Sequence, residues 1–267
     1  MNVDINGTSF SYKDEGTGQV LLLIHAFPLN QAMWDEQMAV LSSSYRVVSI
    51  DLRGFGGSEL PSPAYSVDDM AADVKGLLDV LGISSVVLVG LSMGGYVSMS
   101  FYRNYPARVR ALVLADTRAT PDSEQARMRR LKSAEQSERD GTQSITQEMV
   151  RVLLGRTTLS TRPDIVERVR TIMNTNQPAG IAAAQRAMAD RQDSTDLLET
   201  PGIPVLLIFG EEDSLVPLSE ARELEKGIGG STLRIIEGAG HLSNLEQPSR
   251  FNDAISEFLA SLVSKNL

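Results

Sequence analysis

The first part of the chain alternates between short apolar runs and amphipathic stretches. The apolar runs are typical of strands buried on both faces of a parallel sheet, and they lie at residues 20–24, 47–51, 85–89 and 111–115. A less apolar strand is predicted at 10–14, and helices are predicted at 33–41 and 66–82. Strands that alternate with helices in this way form a parallel sheet covered by helices on both faces. The pattern therefore predicts an α/β fold.

The alternation stops after Asp116 and resumes near residue 204. No segment between 118 and 198 is a good strand candidate. Amphipathic stretches with helical spacing lie instead at residues 123–140, 145–154, 163–174 and 178–191. Strands return at 204–210 and 232–237. We therefore expect a helical cap, residues 118–198, inserted between the strands at 111–115 and 204–210 of a core formed by residues 1–117 and 199–267.

Charge and composition exclude several classes of function. The formal net charge of −9 argues against binding to nucleic acid or to an anionic membrane surface. The chain has no cysteine and only two histidines, so neither a thiolate nucleophile nor a metal cluster is expected. We also expect no cofactor. The N-terminus does not resemble a signal peptide and no apolar run is long enough to span a bilayer, so the expectation is a cytoplasmic monomer or homodimer.

Ser92 is the candidate nucleophile. It lies in the sequence GLSMGG at residues 90–95, directly after the apolar run at 85–89. A G-x-S-x-G turn between a strand and a helix holds the serine in a strained conformation and exposes its hydroxyl. Glycines at 90, 94 and 95 leave room for the helix to approach the strand. The sequence therefore predicts a nucleophile elbow.

The general base is one of two histidines. Imidazole is suited to this work because its ordinary pKa lies near neutral pH. His241 follows a strand within a glycine-containing loop, whereas His25 directly ends the run at 20–24. A loop at a strand end is the expected position of a catalytic histidine, so His241 is the preferred candidate.

The acid that orients the histidine is expected between the serine and the histidine in chain order. Asp213 follows the strand at 204–210 by three residues, which lets its carboxylate turn toward a neighbouring loop. Asp116, after the strand at 111–115, is the alternative. Asp213 is preferred, and its role would be to hold the His241 tautomer and stabilise the imidazolium.

Five motifs, in order along nearly the whole chain, resemble those of the alpha/beta-hydrolase superfamily. They are HAFP at 25–28, DLRGFGGS at 51–58, GLSMGG at 90–95, GEED at 210–213 and GH at 240–241. Trp34, Gln37 and Met38 also fit the branch of serine esterases, enol-lactonases and cofactor-free perhydrolases. The resemblance implies an oxyanion hole formed by the backbone N–H groups of Phe27 and Met93. It also implies that His25 holds the oxyanion loop and does not transfer protons.

The predicted cap has an unusual composition. No Phe, Tyr or Trp occurs between Tyr105 and Phe209, so the cap must present aliphatic side chains to the site. This favours a flexible pocket for an acyl chain or a small aliphatic lactone over one for an aromatic ring. The side chains expected to bind substrate are Trp34, Met149, Leu153, Leu154, Met173 and Met188.

The sequence thus predicts a carboxylic ester hydrolase with the triad Ser92, Asp213 and His241. Its partner would be a small aliphatic ester or lactone, attacked through an acyl-enzyme. Two alternatives remain. One is cofactor-free perhydrolysis, in which peroxide intercepts the acyl-enzyme, and the other is a non-enzymatic receptor for small molecules that retains the triad.

Overall fold

A computed structural model describes residues 1–199 and 201–264. These residues form one mixed sheet with strand order β1-β2-β4-β3-β5-β6-β7-β8. The strands are β1 (Asn2–Ile5), β2 (Thr8–Glu15), β3 (Val20–Ile24), β4 (Arg46–Ile50), β5 (Val86–Leu91), β6 (Val109–Ala115), β7 (Val205–Gly210) and β8 (Thr232–Ile236). Only the pairs β1–β2 and β2–β4 are antiparallel, and the other neighbours are parallel.

Helices follow most of the strands. They are α1 (Asp35–Leu41), α2 (Val67–Val80), α3 (Met93–Asn104), α4 (Glu124–Asp140), α5 (Thr142–Leu153), α6 (Arg156–Thr161), α7 (Pro163–Asn174), α8 (Pro178–Ala189), α9 (Thr195–Glu199), α10 (Leu218–Gly227), α11 (Ser243–Glu246) and α12 (Pro248–Ser264). Ser66 caps α2, and Asp69 completes a capping box, as the hydroxyl and early acids of this segment indicate. No helix in the described residues is both long and apolar enough to cross a membrane.

The core lies on both faces of the sheet. Along β3, Leu22 and Ile24 pack into one apolar cluster, whereas Leu21 and Leu23 pack into a second. Successive side chains of a strand point to opposite faces, so a strand that is apolar throughout must be covered on both sides. The structure confirms the prediction of a mostly parallel, doubly covered α/β sheet.

Helices α4 to α9 lie between β6 and β7 and form a helical insert. This agrees with the predicted lack of strands between 118 and 198. One close contact of the insert with the core lies at Gly180, where a Cβ atom would lie 1.9 Å from the carbonyl oxygen of Gly54. Backbone therefore meets backbone at this contact.

Several elements differ from the sequence-based expectation. The strand predicted at 10–14 extends over Thr8–Glu15, and Phe10 is buried in the apolar cluster that also contains Ile5 of β1 and Met70 of α2. The helix predicted at 33–41 is divided into a 3-10 turn, Gln31–Trp34, and α1. Neither β1 nor the long C-terminal helix α12 was anticipated.

Candidate active site

Ser92 occupies the turn between β5 and α3. Its backbone has φ 54° and ψ −110°, a region that non-glycine residues rarely adopt. The turn is crowded, since a Cβ atom on Gly90 would lie 2.2 Å from the carbonyl oxygen of Gly94, and one on Gly94 would lie 2.0 Å from that of Ile24. The glycines are therefore required for this elbow, as the sequence indicates.

Three side chains from separate loops form one hydrogen-bonded chain. The Oγ of Ser92 lies 2.8 Å from the Nε2 of His241, and the Nδ1 of His241 lies 2.7 Å from the Oδ2 of Asp213. These residues follow β5, β8 and β7, whose carboxyl ends meet at the same edge of the sheet. The structure thus brings together the three residues that the sequence selects.

The carboxylate of Asp213 is fixed on both sides. Its Oδ1 accepts hydrogen bonds from the backbone N–H groups of Leu215 and Val216, at 2.8 and 3.0 Å. Its Oδ2 remains for His241. An acceptor-only carboxylate at Nδ1 requires the proton on that nitrogen, so the Nε2 of a neutral His241 is left to accept the Ser92 hydroxyl proton.

Asp116, the alternative acid, lies deeper in the site. Its Oδ1 accepts a hydrogen bond from the N–H of Gly210 at 2.8 Å, and the Ser243 hydroxyl donates to its Oδ2 at 2.5 Å. Asp116 is fully buried. Burial, reinforced by the nearby charge of Asp213, raises the pKa of Asp116 well above its usual range. Through these two hydrogen bonds, Asp116 links Gly210, at the end of β7, to Ser243, which lies two residues after His241.

The electrostatic surroundings favour the protonated imidazole of His241. Burial lowers the pKa of His241, but the charge of Asp213, its hydrogen bond and the charge of Asp116 together outweigh burial. The net result is a pKa above the usual value of 6.5. An imidazole of raised basicity is suited to removing a proton from a hydroxyl group.

His25 has a different environment. Its Nε2 accepts a hydrogen bond from the N–H of Leu52 at 3.0 Å, and its Nδ1 lies 3.0 Å from the carbonyl oxygen of Ala26. A neutral ring that accepts at Nε2 must carry its proton at Nδ1, where it donates to this carbonyl. Burial lowers the pKa of His25, which is consistent with the neutral form. Both nitrogens are thus occupied in holding the loop to the turn that follows β4.

The backbone N–H groups of Phe27 and Met93 are unpaired among the described residues. Met93 begins α3, where an N–H group has no acceptor within the helix and the helix dipole favours negative charge. Phe27 lines the same cavity as Ser92. Met93 directly follows Ser92 in the chain, and unpaired backbone donors are the groups that a developing oxyanion requires.

A cavity of about 320 Å³ opens beside Ser92 and His241. It is lined by residues of the core and of the helical insert: Phe27, Ser92, Tyr96, Arg118, Asp122, Ala126, Arg129, Arg130, Ser133, Glu148, Met149, Leu153, Gln185, Met188, Leu215, Val216 and His241. Its volume is at the lower end of the range for small-molecule sites.

The predicted substrate-binding residues divide into two groups. Met149, Leu153 and Met188 line the cavity. Trp34, Leu154 and Met173 do not, and all three are buried in the apolar cluster on the opposite face of the sheet from Phe27. Trp34 packs against the ring of Phe251 at a centroid distance of 6.0 Å. The structure therefore places these three side chains in the packing of the core and not on the wall of this cavity.

The cavity is also more polar than the expected aliphatic pocket. Three arginines of the segment after β6, Arg118, Arg129 and Arg130, lie on its wall. Arg118 donates to the carbonyl oxygen of Leu215, and Arg130 is paired with Asp122, both at 2.5 Å. The wall therefore combines aliphatic side chains with charges that are partly neutralised by their partners.

Two buried polar residues near the site were missed. Glu246 accepts backbone hydrogen bonds on both sides of His241, and Asn176 contacts the loop that carries Phe27. Neither lies in a recognised motif, and a polar residue within a helical or loop segment carries no signal of burial. Among residues 1–199 and 201–264, no group of three or more His, Asp or Glu side chains could hold a metal ion.

Comparisons with known proteins agree with this architecture. A solved, malate-bound thermophilic esterase from Thermogutta terrifontis has 39% sequence identity and a TM-score of 0.95, covering 98% of this chain and 99% of that chain. A 3-oxoadipate enol-lactonase from Acinetobacter baylyi is 30% identical over 95% of this chain and 92% of its own length. A putative non-heme chloroperoxidase from Synechocystis is 33% identical over 93% of this chain and 94% of its own length.

The similarity to an esterase and an enol-lactonase supports a hydrolase activity. Residues 19–248 match the alpha/beta hydrolase fold family. That span covers more than half of the chain and includes Ser92, Asp213 and His241. The chain therefore belongs to the alpha/beta hydrolase fold family.

Proposed function

We propose that the chain is a serine hydrolase of carboxylic esters, including small lactones. The observation that carries the proposal is the continuous hydrogen-bonded chain from Ser92 through His241 to Asp213, with distances of 2.8 and 2.7 Å. A nucleophile, a base and an orienting acid in this order are the requirements for acyl transfer through a serine.

Acylation begins at Ser92. The Nε2 of His241 accepts the hydroxyl proton while the Oγ of Ser92 attacks the ester carbonyl, which gives a tetrahedral intermediate with a negative oxygen. The imidazolium is stabilised by Asp213, which holds Nδ1–H at 2.7 Å. His241 then donates its proton to the leaving alcohol, and the acyl group stays on Ser92.

The negative oxygen would be held by the N–H groups of Phe27 and Met93. Both groups are free of other acceptors among the described residues, so they need not break a bond to serve this role. Preorganised donors of this kind are worth on the order of a hundredfold or more in rate for each donor.

Deacylation repeats the same steps with water. His241 accepts a proton from water, the resulting hydroxide attacks the acyl carbonyl, and His241 returns the proton to the Oγ of Ser92. With a lactone, the alcohol and the acyl group remain in one molecule, and the product is a hydroxy acid.

We also propose that residues 118–198 act as a cap over the site. Met149, Leu153 and Met188 come from this segment and line the cavity next to Ser92, which supports a role in substrate selection. The size of the cavity, about 320 Å³, favours small esters and lactones. The mixed polar and aliphatic wall is compatible with a carbonyl compound bearing a short alkyl chain.

The test is hydrolysis of short p-nitrophenyl esters and of aliphatic lactones. Ser92→Ala should lower kcat by several orders of magnitude, on the order of a million-fold, and His241→Ala should be comparably severe. The double variant should be little worse than either single variant, because the residues act as one unit. Absence of activity on both substrate classes, or nearly unchanged turnover in His241→Ala, would contradict the proposal.

A second candidate is cofactor-free perhydrolysis, favoured by the similarity to a putative non-heme chloroperoxidase. Here peroxide replaces water in the attack on the acyl-enzyme and a peracid forms. The test is halide oxidation in the presence of acetate and peroxide. Both reactions use the same acyl-enzyme. If more of it is converted to peracid than is hydrolysed by water, perhydrolysis is the principal activity. Sustained steady-state turnover on an ester would argue against the third alternative, a non-enzymatic receptor for small molecules.

A further inference from the structure

Asn176 lies in the helical insert, in the short connection between α7 and α8. Although it is in a loop, only 3% of its surface is exposed. A buried side-chain amide must find hydrogen-bond partners to offset the cost of leaving water. Its Nδ2 lies 3.4 Å from the carbonyl oxygen of Ile172 in α7, and its other side-chain partners lie outside the insert, in two loops of the core.

The side chain of Asn176 bridges these two loops. Its Nδ2 donates to the carbonyl oxygen of Pro28 at 2.8 Å. Its Oδ1 accepts from the backbone N–H of Gly56 at 2.8 Å and from the Nδ2 of Asn30 at 3.3 Å. One amide therefore joins the loop that follows β3 to the turn that follows β4.

Pro28 directly follows Phe27, whose N–H is one of the two proposed oxyanion donors. Within the loop, the N–H of Leu29 donates to the carbonyl oxygen of Ala26 at 2.9 Å, which closes a turn around Phe27 and Pro28. Proline has no N–H with which to anchor its own peptide group. The hydrogen bond from the Asn176 side chain to the carbonyl oxygen of Pro28 therefore anchors this turn.

The surrounding joint is closely packed. The hydroxyl of Thr175 accepts a hydrogen bond from the side chain of Asn30 at 2.8 Å. Gly54 and Gly180 approach each other with no room for a Cβ atom. The insert thus contacts the core on both sides of Asn176, which limits movement of the bridge.

We propose that Asn176 is a positioning residue for the Phe27 amide, holding it through Pro28 in the orientation that an oxyanion needs. The inference rests on the proposed function, and it assigns to the insert a part in building the oxyanion hole. The oxyanion forms only after Ser92 attacks, so the bond should matter more to the transition state than to the bound ester. Its loss should lower kcat and leave KM nearly unchanged.

The central experiment compares Asn176→Ala with Thr142→Val as a matched control. The hydroxyl of Thr142 donates to the backbone carbonyl oxygen of Asn176 at 3.1 Å, so this control loses one bond at the same joint without touching the Phe27 loop. For Asn176→Ala we expect kcat on a p-nitrophenyl ester to fall on the order of ten- to a hundredfold, as for a misplaced or weakened donor. We expect KM to change less than about twofold. Thr142→Val should retain nearly all of kcat.

A transition-state analogue supplies a second readout. An alkyl trifluoromethyl ketone adds the Oγ of Ser92 and carries a negative oxygen in the oxyanion hole, whereas a simple alkyl ketone of the same shape forms little adduct. Affinity of Asn176→Ala for the trifluoromethyl ketone should fall in parallel with kcat/KM. An unchanged affinity, or a loss of kcat equal to that of Thr142→Val, would overturn the proposal.

Asn176→Asp serves if the alanine variant fails to fold. The carboxylate still accepts from Gly56 but cannot donate to the carbonyl of Pro28, so the same loss of kcat is expected. Hydrogen–deuterium exchange of the 25–30 segment requires no activity. It should increase in both variants, while exchange of the His241 loop should stay unchanged. Unchanged exchange at 25–30 overturns the positioning role, whereas a wild-type protein without activity on any ester overturns the proposed function.

Discussion

The backbone N–H of His241 donates a hydrogen bond to the carbonyl oxygen of Leu153, at 2.9 Å. Leu153 is the last residue of α5, so the loop of the proposed base is tied to the helical insert. Glu246 strengthens this tie, since its carboxylate accepts from the N–H groups of Gly240, Leu242 and Gly155 at 2.9, 3.2 and 2.8 Å. The orientation of His241 therefore depends on the insert as well as on the sheet.

Replacement of Glu246 by Gln should disturb both stability and turnover. An amide has one oxygen where the carboxylate has two, so at least one buried N–H loses its acceptor, at a cost of about 1–3 kcal/mol. We expect a lower melting temperature and a kcat reduced on the order of tenfold, because a misoriented base loses effective concentration. Thermal melts and ester hydrolysis measure the two effects.

Glu257→Gln, at an exposed ion pair with Arg234, is the control and should leave both the melting temperature and kcat unchanged. Equal behaviour of the two variants would contradict this role of Glu246.

The pH dependence of kcat/KM should report the raised pKa of His241. The base works only when neutral, so the rate falls as the pH decreases through this pKa. Because the carboxylates outweigh the effect of burial, the acid limb should have its midpoint above the usual value of 6.5. A pH–rate profile with a substrate that does not titrate gives the midpoint directly. A midpoint below 6.5 would show that burial dominates over the charge of Asp213.

The two aspartates near His241 should respond very differently to replacement by Asn. Asp213→Asn places an amide at Nδ1 and favours the wrong tautomer, so kcat should fall on the order of ten-thousandfold. Asp116→Asn is nearly isosteric, and its amide can accept from Gly210 and donate to the hydroxyl of Ser243. The hydrogen bonds of Asp116 go to Gly210 and Ser243, and Asp213 supplies the bond to His241, so this replacement should cost less than about tenfold. A larger loss in Asp116→Asn than in Asp213→Asn would make Asp116 the orienting acid.

Much of the fold and of the proposed triad could be predicted because their signals are local. The strand β5 is apolar throughout, and the glycines around Ser92 are demanded by contacts that any tight turn from strand to helix would make. Asp213 and His241 follow the strands β7 and β8, and parallel strands bring their carboxyl ends to one edge. Chain order and strand ends were sufficient to select these residues.

The residues that line the cavity could not be predicted, because they depend on how the helical insert packs on the core. Met149 and Leu153 are four residues apart on one face of α5 and both line the cavity, whereas Leu154, which directly follows the helix, does not. Periodicity shows that a helix has an apolar face but not which neighbour that face meets. The bridge formed by Asn176 is equally a product of tertiary contact, since its partner Pro28 lies 148 positions away in the sequence.

Gly180→Ala tests whether the insert can sit on the core without its close contact to Gly54. The new Cβ atom would lie 1.9 Å from the Gly54 carbonyl oxygen, and backbone on both sides leaves no flexible side chain to move aside. Overpacking of this kind costs about 1–3 kcal/mol, which corresponds to a loss of roughly 2–10 °C in melting temperature for a chain of this size. Gly229→Ala is the matched control, because a Cβ atom there meets nothing within 4 Å. The insert must shift in Gly180→Ala, so kcat should fall together with the melting temperature, whereas Gly229→Ala should retain both. A Gly180→Ala variant as stable and as active as Gly229→Ala would mean that the insert adjusts freely over the core.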